Sequence, residues 1–124
     1  AASDVYKRQY RYSASGALTD GTGWGWQDLG PLWVPLEYEI FGSTIWGTKG
    51  WSQGQGVQYP IFANSFLNRI KGAGNGGGRC GWWTASVRSG GSTYCVTVYG
   101  YGGSNNWSAS NELCVPVCFR IDEA

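Results

Sequence analysis

The stretch GWWTASVRSGGSTYCVTVY, residues 81–99, decides the fold of this chain, because it holds two β-strand patterns on either side of a Gly- and Ser-rich turn. Residues 82–86 predict the first strand. Residues 93–99, which are rich in Thr, Val and Tyr, predict the second. Residues 115–121 predict a third strand, and the small polar residues of 100–111 predict a loop before it. The C-terminal third therefore predicts a small antiparallel sheet with a long loop.

The strongest helix pattern lies upstream, in LWVPLEYEIFG at residues 32–42. Pro35 suits the first helical turn, where its missing N–H costs no hydrogen bond. Glu37 and Glu39 follow early in the helix, where carboxylates complement the helix dipole. They are two residues apart and point to different helix faces, which excludes a close acid–base pair and favours a structural role. One apolar face has helical spacing. Its residues are Leu36, Ile40 and Phe41.

A second short helix is predicted at residues 61–70, IFANSFLNRI, because apolar residues recur there at every fourth position. Those residues are Phe62, Phe66 and Ile70. The Gly-rich residues 72–78 lack the Lys-Ser/Thr of a phosphate-binding loop and predict a connector. Nearer the N-terminus, residues 10–17 predict a weak strand and residues 20–26 a turn-rich loop.

Composition limits the function classes. The 124 residues suit one domain, which we assign to residues 10–124, with residues 1–9 as a non-native or disordered N-terminal segment. A net charge of +1 without a basic stripe gives little support for nucleic-acid binding. The sequence has no run of 18 apolar residues, so we expect no membrane insertion. There is no His, which excludes Ser–His–Asp triads, Cys–His dyads and most zinc sites.

The four cysteines are Cys80, Cys95, Cys114 and Cys118. They allow two disulfides in three connectivities. Buried free thiols fit the sequence equally well, because Cys is a common core residue. The last two are spaced C-x3-C, but no second pair follows with the spacing of a zinc ribbon.

Three segments together resemble a known family. Residues 32–39, LWVPLEYE, resemble the helix start of formylglycine-generating-enzyme-like C-type lectin folds. Residues 81–86, GWWTAS, resemble a strand of the variable proteins of diversity-generating retroelements in phages and gut bacteria. Residues 115–121, VPVCFRI, resemble the terminal strand of those proteins. The chain departs from the family pattern at Val87, Cys95 and Cys114. These departures leave the strand register and the cysteine roles open.

The resemblance implies an α+β, C-type lectin-like fold with two short helices, a small antiparallel sheet and long Gly-rich loops. In that family, retroelements mutate adenines in a C-terminal repeat, so surface positions vary on a fixed scaffold. The tail is rich in residues that such mutation produces, although loops favour Ser, Gly and Asn anyway. The implied function is receptor binding, to a protein or glycan on a cell surface, from a phage tail or a bacterial cell surface. The chain would act as a homo-oligomer such as a trimer, or attached to a larger phage structure, without a cofactor.

The predicted ligand contacts lie between residues 88 and 112. Tyr and Trp give rigid contact area there, while Asn and Ser give adaptable hydrogen bonds. The predicted contact residues are Arg88, Tyr94, Thr97, Tyr99, Tyr101, Asn105, Trp107, Asn111 and Glu112. The alternative is that the tail's rings cover a thin core. For Trp82 and Trp83, which open a strand, we favour the core.

Three other functions compete with this prediction. A calcium-dependent sugar site needs converging carboxylates, and Asn111-Glu112 is the one adjacent Asn–Glu pair. A cysteine-dependent oxidase would use a copper site at Cys114 and Cys118, but their order and surroundings do not match the formylglycine-generating enzymes. A bacterial surface or secreted domain with a fixed ligand would keep the binding surface without diversification. We therefore predict a binding protein and no catalytic or metal site.

Overall fold

The computed structural model of the chain describes residues 30–47, 56–73, 77–90 and 93–119 in full, and the backbone of residues 8–12 and 24–28. These residues form an α+β arrangement of short helices and small antiparallel sheets. The predicted α+β class with two short helices is therefore confirmed. Residues 1–7 of the predicted N-terminal segment lie outside the described residues, whereas Arg8 and Gln9 belong to a strand.

The main sheet has three antiparallel strands in the order β5 (Trp82–Val87), β6 (Tyr94–Val98) and β7 (Ser104–Ser108). The first two confirm the strands predicted at 82–86 and 93–99. A register shift separates the two ends of β5 where it pairs with β6. β7 lies inside the stretch predicted as a loop, so that prediction is wrong over these five residues.

Two smaller sheets have two strands each. β1 (Arg8–Tyr12) pairs with β2 (Trp24–Asp28), and β3 (Lys71–Gly72) pairs with β4 (Arg79–Cys80). The first pair corrects the prediction of a loop at 20–26, because residues 24–26 are extended and paired. The second pair shows that the ends of the Gly-rich connector are held together as a hairpin.

The first helix, α1 (Glu37–Phe41), begins later than predicted. Pro35 precedes it, and its carbonyl accepts a hydrogen bond from the N–H of Ala85 at 2.8 Å. The Leu36 side chain has no acceptor to cap the helix, so the Glu39 carboxylate reaches back and accepts the Leu36 N–H at 2.9 Å. Pro35 thus joins the helix start to the main sheet instead of forming the first helical turn.

The second predicted helix is divided in two. α2 (Pro60–Asn64) ends at Ser65, which is extended, and a 3-10 helix (Phe66–Arg69) follows. The Ser65 hydroxyl accepts the Leu67 N–H at 3.3 Å and so begins the second piece. The break rotates Phe66 away from the core, and 51% of this side chain is exposed. One continuous apolar face is therefore a wrong prediction.

The hydrophobic core lies between the helices and the main sheet. The core cluster consists of Ile40, Phe62, Trp82 and Val98. Trp82 is 0% exposed, and its indole N–H donates to the carbonyl of Arg69 at 2.9 Å. Trp82 is thus confirmed as core, whereas its neighbour Trp83 is half-buried.

A strand is predicted at residues 115–121, in the segment after β7. This prediction is wrong over residues 115–119, which form no strand. The segment makes isolated bridges, from Cys114 to Trp82 and from Cys118 to Trp33. Pro116 lies between the two bridging cysteines and has no N–H to donate to a ladder. Residues 120 and 121 lie outside the described residues.

One disulfide, Cys80–Cys114, joins β4 to the segment after β7. The other two cysteines, Cys95 and Cys118, are thiols outside this bridge. The sequence left these alternatives open, and the structure combines one bridge with two half-buried thiols. Within the described part of the chain, none of the helices is long and apolar enough to cross a membrane.

Candidate ligand-binding site

The outer face of the main sheet is the face opposite to the core cluster. Side chains alternate between the two faces of a sheet, so residues paired directly across strands share a face. Thr97 pairs with Trp83 on one side and with Asn105 on the other, and Cys95 pairs with Trp107. These five residues therefore belong to the outer face.

A cavity of about 250 Å³ lies on this outer face. It gathers five of the nine predicted ligand contacts, and they are Thr97, Tyr99, Tyr101, Asn105 and Trp107. We call it the outer-face cavity. Two further lining residues, Arg79 and Leu113, come from β4 and from the segment after β7. The disulfide next to each of them, Cys80–Cys114, holds the two segments together at the rim.

Three aromatic rings around the cavity remain accessible. The exposed fractions are 49% for Tyr99, 59% for Tyr101 and 44% for Trp107. The two tyrosine rings lie 5.4 Å apart between centroids and are tilted by 43°. Rings that only completed the core would be buried, as Trp82 is. Their exposure favours the binding interpretation over the packing interpretation.

The turn between β6 and β7 sets the positions of the tyrosines. The N–H of Tyr99 donates to the carbonyl of Gly103, and the N–H of Gly102 donates to the carbonyl of Tyr99, both at 2.7 Å. Gly102 has φ of 90°, a conformation that residues with a side chain rarely adopt. The turn is therefore tight, and it holds Tyr101 at its tip.

Polar groups at the cavity are mainly donors. The Arg79 guanidinium lies 5.0 Å from the centroid of the Tyr101 ring. Asn105 uses its side-chain oxygen to accept the N–H of Asn106 at 2.8 Å, which leaves its NH₂ group as the free end of the amide. Of the described residues that line the cavity, none is a carboxylate. The site therefore suits a ligand with acceptor oxygens.

Thr97 lies at the floor of the cavity. Only 1% of it is exposed, so it shapes the floor but presents almost no surface to a ligand. Its burial follows from its central position in β6, between the two neighbouring strands.

The other four predicted contacts lie away from the cavity. Arg88 and Tyr94 form a separate pair near the opposite end of β6, with the guanidinium 5.2 Å from the ring centroid. Asn111 and Glu112 are exposed beyond β7, and the Asn111 amide donates to the carbonyl of Ser108 at 3.3 Å. The structure thus divides the predicted set into one group of five and two smaller groups.

Sequence reasoning missed Arg79, which directly follows the Gly-rich connector at residues 72–78. No spacing pattern links it to Tyr101, since the two are brought together only by β4 and the disulfide. A lone cation directly before Cys80 was the one available signal.

The two buried carboxylates of α1 have structural partners. Glu37 accepts the N–H groups of Trp46 and Gly47 at 2.8 and 3.2 Å. Burial raises the pKa of Glu37, and these backbone hydrogen bonds partly oppose the rise. Burial, and then the neighbouring Glu39, raise the pKa of the Tyr59 phenol, which accepts the indole N–H of Trp33. Both carboxylates have structural roles, as predicted, because Glu39 in turn accepts the N–H of Leu36 at the start of its own helix.

The cysteines do not form the copper pair of the oxidase hypothesis. Cys114 is bonded to Cys80, which takes its sulfur out of the free thiol state that a metal ligand requires. Burial raises the pKa of Cys95, which disfavours its thiolate. The described side chains contain no group of three or more His, Cys, Asp or Glu that could hold a metal ion.

A larger groove of about 580 Å³ shares no lining residue with the outer-face cavity and is lined mostly by apolar residues such as Trp33, Ile61 and Val117. Lys71 and Cys118 also border it. None of the nine predicted contacts lies there. The outer-face cavity is therefore the better candidate, because exposed rings and polar donors converge on it.

Comparison with known proteins gives no relative for this chain: no family model, curated protein or solved structure matches it.

Proposed function

We propose that this chain is a binding module that recognises a protein or glycan on a cell surface through the outer-face cavity. The observation that carries the proposal is the group of half-exposed rings, Tyr99, Tyr101 and Trp107, around a cavity with free hydrogen-bond donors. Such rings supply large contact area at a low cost in conformational entropy. They contribute little to the core, so their retention on the surface favours a binding role.

The biological setting of the proposal comes from the sequence resemblance. We propose a C-type lectin-like domain of the variable-protein type, displayed on a phage tail or a bacterial surface, with a diversified C-terminal surface. The alternative is a bacterial surface or secreted domain with a fixed ligand. A neighbouring near-repeat with mismatches confined to adenines, beside a reverse transcriptase gene, would support diversification. Absence of both from the complete locus would favour the fixed ligand.

The test of binding uses the labelled protein with intact bacterial cells and with an array of cell-surface glycans. Tyr99→Ala and Tyr101→Ala are expected to weaken binding about tenfold or more with little change in melting temperature. Tyr94→Ala is the matched control, because Tyr94 is a partly exposed tyrosine of β6 that lies outside the cavity.

Two results would contradict the proposal. If the variants at Tyr99 and Tyr101 unfold the domain, the rings belong to the core. If Tyr94→Ala weakens binding as much as they do, the contact surface lies elsewhere.

A further inference from the structure

We infer that the outer-face cavity binds an acidic saccharide, in which Arg79 pairs with the carboxylate of a uronic acid unit. The inference rests on the proposed binding function and names its ligand class. It starts from the charge of the cavity, which contains the guanidinium of Arg79 and, among its described lining residues, no carboxylate.

Among the described residues, the charges at the cavity favour an anion as the ligand. Arg79 is exposed and lies over the Tyr101 ring, without an ion pair among the described residues. The fully described side chains include three carboxylates. Two of them, Glu37 and Glu39, are buried and do not line the cavity. Glu112, the third, is exposed but does not line the cavity. A guanidinium without a competing carboxylate can form two parallel hydrogen bonds with a carboxylate of the ligand.

The aromatic rings favour a sugar ring. The C–H face of a pyranose is apolar and packs on aromatic side chains, while its hydroxyls need hydrogen-bond partners at the edge. Tyr99 and Tyr101 supply two exposed rings tilted by 43°, and Trp107 supplies a third on β7. The Asn105 NH₂ group, whose amide oxygen is already engaged, can donate to an acceptor oxygen of the ligand.

The size of the cavity favours a single unit of a saccharide over a peptide segment. Its volume of about 250 Å³ is below the roughly 300–1,000 Å³ of pockets for drug-sized ligands. One sugar ring with its carboxylate fits such a space, and the rest of a chain would continue over the exposed rings. A peptide bound within the cavity would need a longer groove.

The test measures binding of the full chain to oligogalacturonides and oligoglucuronides, and to the same oligosaccharides after carboxyl reduction. Reduction keeps the sugar rings and removes the charge. We expect the protein to bind the acidic forms about tenfold more tightly than the reduced forms. Arg79→Gln should abolish this preference. Arg88→Gln should retain it, because Arg88 lies over Tyr94 outside the cavity.

Three results would overturn the inference. They are equal affinity for the acidic and the reduced oligosaccharides, no binding of either form, and a preference for the acidic form that survives Arg79→Gln. Tighter, Arg79-dependent binding of a poly-glutamate peptide would instead assign the cavity to acidic proteins. These failures are distinct from failure of the proposed function. If Tyr101→Ala abolishes cell binding while Arg79→Gln leaves it intact, the binding function stands and the acidic ligand does not.

Discussion

Gly102 and Phe66 pack so closely that a Cβ atom added at Gly102 would lie 3.1 Å from the tip of the Phe66 ring. Gly102 also has φ of 90°, which disfavours any side chain. The contact fixes the turn between β6 and β7 against the 3-10 helix. Because this turn carries Tyr99 and Tyr101, its packing against the 3-10 helix determines where the binding rings lie.

Substitution Gly102→Ala is expected to lower the free energy of unfolding by about 2–4 kcal/mol, since it adds both backbone strain and overpacking. Urea denaturation measures the change. Two other glycines separate the effect of backbone strain from the effect of overpacking. Gly90 has φ of 74° but no neighbour within 4 Å, so Gly90→Ala should lose only about 1 kcal/mol. Gly103 has open space and no positive φ, so Gly103→Ala should stay within about 0.5 kcal/mol. Equal losses at Gly102 and Gly90 would contradict the packing argument.

The Cys80–Cys114 disulfide should contribute strongly to stability, because it closes a loop between residues 34 positions apart. The chain-entropy model gives about 3–4 kcal/mol for a loop of this length. The double variant Cys80→Ala/Cys114→Ala is therefore expected to unfold at markedly lower denaturant concentration. Reductant should shift the wild-type curve in the same direction and leave the curve of the double variant unchanged.

Cys95→Ala is the control for this prediction, because it removes a half-buried free thiol without breaking a bridge. Its loss should be smaller than that of the double variant. If reductant leaves wild-type unfolding unchanged, no such bridge stabilises the protein. The double variant should also weaken ligand binding, since Arg79 and Leu113 lie next to the bridged cysteines at the cavity rim.

Glu37 connects α1 to the backbone of Trp46 and Gly47. Its carboxylate accepts two backbone N–H groups, and its own N–H donates to the hydroxyl of Ser86 at 2.9 Å. Burial raises the pKa of Glu37 in the folded protein. The folded state therefore binds the proton more tightly than the unfolded state does. The stabilisation by protonated Glu37 is complete at pH values below the ordinary pKa of its carboxyl group in the unfolded chain. It is lost as the pH rises through the raised pKa of this group in the folded protein.

The pH dependence of Glu37→Gln tests this sign. As the pH is lowered from neutral toward the ordinary pKa of a carboxyl group, the unfolding free energy of the wild type should increase relative to that of the variant. Chemical denaturation at several pH values measures the difference. Glu112→Gln controls for the change in net charge, because Glu112 is exposed. A fall in the unfolding free energy of the wild type relative to that of Glu37→Gln on acidification would show that the pKa is lowered, not raised.

The sequence predicted the elements whose side chains face the core. Leu36 and Ile40 mark the buried face of α1, and the alternation in β5 marks its inner face. β7 was not predictable from its letters, SNNWS, because it is held by backbone hydrogen bonds to β6 and carries few residues of high strand propensity. The tertiary pairing overrides the local preference for a loop.

The candidate site could be predicted only in part, because it too depends on tertiary pairing that the local sequence does not show. Tyr99, Tyr101 and Trp107 stand out in a sequence as rings between small polar residues. Arg79 does not, since its place at the cavity depends on a hairpin and a disulfide that join distant segments. Strand register decides which of the predicted contacts between residues 88 and 112 lie at the floor of the cavity and which lie at its rim. The sequence left this register open.

Trp82 and Trp107 offer a matched pair that separates stability from binding. Trp82→Phe should lower the free energy of unfolding by about 2–4 kcal/mol, because it leaves a gap in the core cluster and removes the indole donor from the Arg69 carbonyl. Trp107→Phe changes a ring that is 44% exposed, so its stability should stay within about 0.5 kcal/mol of the wild type. Denaturation curves and binding to the acidic oligosaccharides measure both variants. If Trp107→Phe destabilises the protein as much as Trp82→Phe does, Trp107 is part of the core and the aromatic rim loses its third ring.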